Sequence, residues 1–261
     1  MFLYEFENYR SEYEKGARKI SLRSSRPNRP EQSGVLQPEP FQDKDDLFFN
    51  RKGLLLHSVH KRKNKNYKMI YGYNHREILV RIMSLLSETN TLQSLSEFEY
   101  DEKGRLVKEV VRSFHFGSES DFITENIHNY EGNTETVFIT TNLEDADECK
   151  IYTVYDRKQQ VIEEKAILNE VELVWWLKNE YDKDGNLLKE ISLDENGETE
   201  GIDEYTPFDN GLSSGYHYKS EETSYQREYF FKYNERGHWI HQVTKDDGES
   251  KYFFDRTIEY Y

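Results

Sequence analysis

Tyr181-Asp182-Lys183-Asp184-Gly185-Asn186-Leu187 is the stretch that decides the fold. An aromatic residue suited to a strand runs into an Asp, whose side chain starts turns by bonding its own backbone. A glycine three residues later tolerates positive φ, and an apolar residue then opens a second strand. The phrase recurs as Tyr100-Asp101-Glu102-Lys103-Gly104-Arg105-Leu106 and as Tyr233-Asn234-Glu235-Arg236-Gly237-His238-Trp239. Phe49-Asn50-Arg51-Lys52-Gly53-Leu54-Leu55 keeps the same spacing. Tyr73-Asn74-His75-Arg76-Glu77-Ile78-Leu79 and Tyr155-Asp156-Arg157-Lys158-Gln159-Gln160-Val161 keep the frame and lose the glycine. Tyr130-Glu131-Gly132-Asn133 and Phe208-Asp209-Asn210-Gly211-Leu212 are shortened copies.

The anchoring aromatics recur about every 26 residues, within the range of repeat architectures. Further turns fall roughly half a period later, at Asp194-Glu195-Asn196-Gly197 and Lys245-Asp246-Asp247-Gly248. Two turns per period imply two strands per period, and hence an antiparallel meander of roughly sixteen strands. Alternation then puts Phe98 with Tyr100, and Leu187 with Ile191, on one apolar face. Glu99, Glu180, Glu109 and Glu190 fall on the other, charged face. Glu77 to Leu86 fits a short amphipathic helix as well as it fits a strand.

The expected fold is therefore all-β, a long twisted antiparallel β-meander of about eight repeated hairpins with a less regular N-terminal region. Whether such a strip stays open, rolls up or splits into a sandwich is left undecided by the pattern. Residues 1–45 read as an N-terminal arm with a basic, Pro-rich linker, since Pro27, Pro30, Pro38 and Pro40 sit there with Lys15, Arg18, Lys19, Arg23, Arg26 and Arg29. Residues 46–261 read as the repeat domain. A basic arm could lie across an acidic body as a charge-complementary strap.

Composition narrows the functional classes. The 261 residues carry a net charge of -15, so whole-surface binding of nucleic acid is not expected. Twenty Tyr and 15 Phe argue against disorder despite the 33% charged content. The basic run Lys61-Arg62-Lys63-Asn64-Lys65-Asn66 reads as a solvated turn. Lone Cys149 excludes an internal disulfide framework and lies in an acidic stretch that opposes thiolate formation. No signal-peptide pattern and no apolar run of membrane-spanning helical length is present, so a cytoplasmic location without membrane contact is expected.

The full phrases resemble the YD repeats of the Rhs family and of bacterial proteins that carry diverged copies. The likeness covers most of residues 46–261. In large Rhs proteins such repeats build a β-strip that coils into a shell around a toxin, and this chain is too short to enclose one. It also departs from them in having no recognisable C-terminal toxin or autoprotease segment. Short cytoplasmic proteins of similar repeat character are often encoded beside polymorphic toxins, where they act as immunity proteins. The resemblance thus implies a protein-binding role.

No local spacing carries catalysis: there is no phosphate-cradling glycine loop, no nucleophile elbow and no His partner for Cys149. His57 with His60 and His238 with His241 stand three apart, which on strands sends each pair to opposite faces. Asp182-Lys183-Asp184-Gly185-Asn186 lacks the closing glutamate of a calcium loop, since Ile191 stands in its place. No enzyme activity, cofactor or metal site is expected. Val174, Trp176, Leu188, Phe230 and Ile240 break the charged face and are the candidate partner-binding residues. The expected function is a non-enzymatic module that binds and neutralises a basic, possibly nuclease, toxin. A structural or envelope-associated repeat protein that binds glycan is the alternative.

Overall fold

The computed structural model describes residues 16–25, 27–28, 37–38, 43–62, 65–114, 121–143, 146–207, 213–220 and 223–261. The aromatic–acidic segment Phe2 to Tyr13, Pro30 and Pro40, Lys63 and Asn64, and the turn Phe208 to Leu212 lie outside the described residues. Among the described residues every regular element is a strand. In chain order these are β1 (Ala17–Ser25), β2 (Pro27–Asn28), β3 (Gln37–Pro38), β4 (Asp43–Phe49), β5 (Leu55–Lys61), β6 (Asn66–Tyr73) and β7 (Leu79–Leu86). Then come β8 (Thr91–Tyr100), β9 (Leu106–Ser113), β10 (Phe122–Glu131), β11 (Thr134–Thr141), β12 (Cys149–Tyr155), β13 (Val161–Leu168) and β14 (Glu172–Tyr181). The last are β15 (Leu187–Leu193), β16 (Thr199–Pro207), β17 (Ser213–Ser220), β18 (Ser224–Tyr233), β19 (Trp239–Asp246) and β20 (Glu249–Tyr260).

The expected long meander of about eight hairpins, with an irregular N-terminal region outside the sheet, is overturned. β4 to β20 follow one another in sequence order, and β1 pairs with both β4 and β20, so the 18-stranded antiparallel sheet closes on itself as a barrel does. The less regular N-terminal region was the source of the error, because Ala17–Ser25 is the closing strand of the sheet. Lys19 and Arg23 made this segment look like an arm, yet they alternate with Ile20 and Leu22. Ile20 and Ala17 are buried with Leu47 and Phe49, and Leu55 and Ile258 pack against them. Closure removes two sheet edges whose unpaired backbone groups would otherwise recruit another strand. Two basic residues at the start of β1 pair with acids of the strands beside it, Arg18 with Glu259 at 2.6 Å and Lys19 with Asp46 at 3.6 Å.

The chain divides into two compact units, Met1–Leu95 with Phe230–Lys245 and Glu249–Tyr261, and Ser96–Tyr229 with Asp246–Gly248. In both units the opening phrase builds one kind of loop. At Asp182 the side chain accepts hydrogen bonds from the Asp184 and Asn186 amides at 2.8 and 2.9 Å. Gly185 takes φ of 93° at the position that L-residues resist. Asn50, Asn74, Asp101, Asp156 and Asn234 repeat this bonding. In the copies without glycine, Glu77 and Gln159 themselves take φ of 63° and 64°. Asp194 opens the same loop, so the turn at Asp194–Gly197 is a further copy and not a second type. Glu77 belongs to such a loop and Leu79–Leu86 to a strand, which disposes of the helical alternative there.

A bulge follows the loop. Tyr181 pairs with Leu187 but Glu180 with Lys189, leaving Leu188 as the extra residue. The same step leaves out Leu56, Val80 and Ile162 in β5, β7 and β13. A bulge inverts the alternation beyond it. Consequently Leu187 shares a face with Tyr181, whereas Ile191, opposite Lys178, lies on the other face. Glu190 pairs with Asn179 and so shares the face of Tyr181, which overturns its expected place on the opposite side.

Candidate functional site

The inversion brings polar residues onto the face of the anchoring tyrosines, and most of the chemistry of the second unit is there. Glu190 of β15 stands directly across from Asp203 of β16. Burial, with the nearby charges of Asp203 and Glu164, pushes the Glu190 carboxyl above its ordinary range. Burial does the same at Asp203. No ion pair reaches either carboxylate from the described residues. Tyr218 faces Asp203 across β16–β17, and its ring lies 5.4 Å from that of Tyr225. Tyr205 feels burial first and then the charges of Glu190 and Asp203, which raise its phenol. This half-buried face thus holds uncompensated acid within a group of tyrosines.

Further along the same unit, β10 and β11 carry a histidine–carboxylate pair. His128 Nδ1 lies 2.7 Å from Glu135 Oε1, and Tyr155 donates to Glu135 Oε2 at 2.5 Å. Burial works against ionisation of Glu135, but the hydrogen bonds from His128 and Tyr155 outweigh it and hold the carboxyl below its ordinary range. His128 Nε2 is buried and bonds no group among the described residues. Asn126, two residues earlier on the same face, donates through Nδ2 to Glu109 Oε2 at 2.9 Å, and its buried Oδ1 has no partner either.

The first unit contains an arrangement that imitates a hydrolase. Asp45 Oδ1 lies 2.8 Å from His60 Nδ1, and His60 Nε2 lies 2.7 Å from Ser58 Oγ. That is the order of an acid, a base and a serine nucleophile. Ser58 has 0% exposure, however, and its hydroxyl also contacts the Tyr71 hydroxyl at 3.3 Å. A nucleophile closed off on every side has no substrate to attack. The relay is a satisfied polar cluster that fastens β4 to β5 and β6. Arg62 completes it by donating to Asp45 at 2.6 Å, so this arginine of the basic run is engaged by the fold.

The other histidines of the expected pairs also have local roles. His57 stacks on Phe48 at 4.3 Å, and His238 reaches the Tyr260 hydroxyl at 2.6 Å. No group of three or more His, Cys, Asp or Glu among the described residues is placed to hold a metal ion. Cys149 is half-buried, and burial raises its thiol.

The candidate partner-binding residues divide between the units. In the second, Trp176 donates its indole N–H to Glu163 at 2.7 Å and lies between Lys165 and Lys178, whose ammonium groups stand 4.2 and 5.3 Å from the ring. Trp176 is thus already occupied by its neighbours. Val174, at a bulge of β14, is 49% exposed, and Leu188 fills the repeated bulge position after the loop. In the first unit Phe230 is 46% exposed beneath Lys245, and Ile240 is also exposed. Ile240 stands at the place in its phrase that Leu188 holds in its own. Leu56 and Ile162, exposed at the same place, were missed. The signal was available, since an apolar residue two positions past the loop is part of the repeat.

No protein-family model matches the chain. No curated protein matches it. Among solved structures, it is similar to a porin-like protein from Bacteroides uniformis, with a TM-score of 0.48 and 11% identity over 93% of this chain and 98% of that one. It is also similar to TcdB2-TccC3 without its hypervariable C-terminal region, with a TM-score of 0.37 and 9% identity over 80% of this chain. The match spans 14% of that much longer protein. At these values neither likeness bears on function. No helix among the described residues is long and apolar enough to cross a membrane.

Proposed function

We propose that the chain is a non-enzymatic protein-binding module that takes a basic partner, and that it serves in the cytoplasm as an immunity protein against a cognate toxin. Glu190 and Asp203 carry the reading. The fold sets them side by side, partly desolvated and without a cation, although burying uncompensated charge is costly. A basic side chain from a partner removes that cost, and the neighbouring tyrosines supply contact area at small entropic expense. The net charge of -15 favours encounter with such a partner. The resemblance of the repeated phrase to YD repeats supports the immunity role in particular.

A lipid-facing role fits the residues less well. One face of β13–β15 carries Glu163, Lys165, Lys178, Glu180 and Lys189, and the other carries Glu164 and Glu190. Neither is the uncharged apolar band that a bilayer requires.

The test is co-expression with the toxin encoded beside the gene. Growth should be restored by the wild-type chain and lost with the double variant Glu190→Gln, Asp203→Asn, whose thermal melt shows that it is still folded. Calorimetric affinity should fall steeply as salt rises. Cell death with the wild-type chain removes the immunity role. Salt-independent binding that the double variant leaves intact removes the acidic face as its seat.

A further inference from the structure

Of the three histidine–carboxylate pairs among the described residues, His60–Asp45, His128–Glu135 and His241–Asp255, the first two differ in one respect. At His60 both ring nitrogens are taken, Nδ1 by Asp45 and Nε2 by Ser58. At His128 only Nδ1 is taken, by Glu135. A proton on Nδ1 satisfies the Glu135 carboxylate, and in the neutral ring that tautomer leaves Nε2 as a lone pair. That lone pair is buried, and so is the partnerless Oδ1 of Asn126, whose amide is oriented by donation to Glu109. Buried acceptors without donors are rare in folded proteins, and each is costly.

The position of these groups follows from the strand register. Asn126 pairs with Glu109 across β9–β10, and His128 lies two residues further on the same side of β10. The basic residues of these strands are directed elsewhere. Lys108 pairs with Glu125, and Arg112 pairs with Glu97 at 3.0 Å, both on the opposite face. The face therefore presents an imidazole nitrogen, an amide oxygen and the Glu109 carboxylate, with the negative charges of Glu109 and Glu135. Arg105 also reaches this face, over the Tyr130 ring at 4.3 Å, but is paired with Asp101 at 2.7 Å. A protonated primary amine carries three N–H donors and one positive charge, which matches this set in number and in sign. A divalent metal is a poorer match, since His128 offers a single nitrogen ligand and no metal-holding group forms among the described residues.

We propose that His128 Nε2, Asn126 Oδ1 and Glu109 form a binding site for a protonated primary amine. The site stands independently of the protein partner proposed above, because it uses a different part of the second unit from Glu190 and Asp203. It assigns a role to the Asn126–Glu109 bond, which engages the amide nitrogen and leaves the oxygen for the ligand.

The experiment is a titration of the full chain, labelled with 15N at histidine, with methylammonium chloride. Long-range proton–nitrogen spectra report the tautomer of His128 and the state of Nε2. The free protein should show His128 with its proton on Nδ1, and methylammonium should shift the Nε2 signal to saturation. Tetramethylammonium chloride at equal ionic strength has the charge without N–H donors and should leave the signal in place. Glu109→Gln keeps the side-chain shape and removes the charge. It should weaken the apparent affinity about tenfold, the scale of one charge-assisted hydrogen bond. His60, whose nitrogens are both occupied, is the internal control and should not move. A proton on Nε2 in the free protein overturns the proposal, as does a response that fails to saturate or that tetramethylammonium reproduces. Should Glu109→Gln unfold, Asn126→Asp replaces it. The added carboxylate should tighten methylammonium binding, and unchanged affinity counts against the site.

Discussion

The Tyr181 hydroxyl donates to the main-chain carbonyl of Val161, 2.9 Å away and one hairpin back along the chain. Tyr73 reaches the Leu55 carbonyl at 2.8 Å and Tyr130 the Leu106 carbonyl at 2.9 Å in the same manner. Each accepting residue is the one that opens the strand after a loop, and each donor is the aromatic that closes the strand before the next. The bond therefore ties a copy of the phrase to its predecessor. It gives a reason for tyrosine over phenylalanine at the anchor.

Tyr181→Phe, Tyr130→Phe and Tyr73→Phe should each destabilise the chain by about 1 kcal/mol, the usual net worth of one hydrogen bond. Urea unfolding should show a lower midpoint at unchanged slope, since the ring and its packing are retained. Phe49→Tyr, at an anchor that has no hydroxyl, serves as the contrasting change. If Tyr181→Phe unfolds at the wild-type midpoint, the tie is ornamental.

The loops allow a second prediction of opposite sign. Gln159 sits at φ of 64° where other copies have glycine. A left-handed conformation costs an L-residue roughly 1–2 kcal/mol, so Gln159→Gly should stabilise the chain by about 1 kcal/mol after the added freedom of the unfolded state is deducted. Gly104→Ala should do the reverse by a similar amount. A methyl group there meets nothing within 4 Å, so backbone strain is the whole effect. Paired melting curves of the two variants check both signs.

These loops were the part of the fold most open to sequence reading, and the reason is local. Asp182 and Gly185 act within their own loop, so their spacing survives any tertiary context. Closure was not legible, because the partners of Ile20 are Leu47 and Ile258, at opposite ends of the chain. The facing of Glu190 failed for a subtler reason. Strict alternation from Leu187 places it correctly only if no residue is extra, and Leu188 is extra. The sites suffered the same fate. His60 invited comparison with His57 by spacing, whereas its partners are Asp45 on the next strand and Ser58 on its own.

Ser58→Ala should be costly out of proportion to the single oxygen it removes. The hydroxyl sits between His60 Nε2 and the Tyr71 hydroxyl, and its loss leaves two buried polar groups with one partner fewer. A loss of about 1–3 kcal/mol is expected, visible as a lower urea midpoint. The acid limb should respond to Asp45. Burial opposes its ionisation, but the hydrogen bonds from His60 and Arg62 prevail and hold its carboxyl below 3.8. Stability from a lowered carboxyl is present above the unfolded value and is lost as pH falls through the folded one. Asp45→Asn should therefore flatten the loss of stability below about pH 4 while lowering stability at neutral pH.

Glu190 and Asp203 reverse that dependence. Both carboxyls are held above their ordinary values of 4.5 and 3.8, by burial in each case and at Glu190 also by the charges of Asp203 and Glu164. The folded chain therefore keeps protons that the unfolded chain has released. Stability of this kind is complete below the unfolded values and disappears as pH rises through the higher folded ones. Glu190→Gln removes the titrating group and its repulsion with Asp203. The variant should melt higher than the wild type at neutral pH and lose its advantage toward pH 4. A melting series across that interval reads the difference directly. If the wild type and Glu190→Gln run parallel, Glu190 does not titrate differently in the folded chain. If the gap widens toward acid pH, the pair is held ionised by a cation and is no longer available to a basic partner.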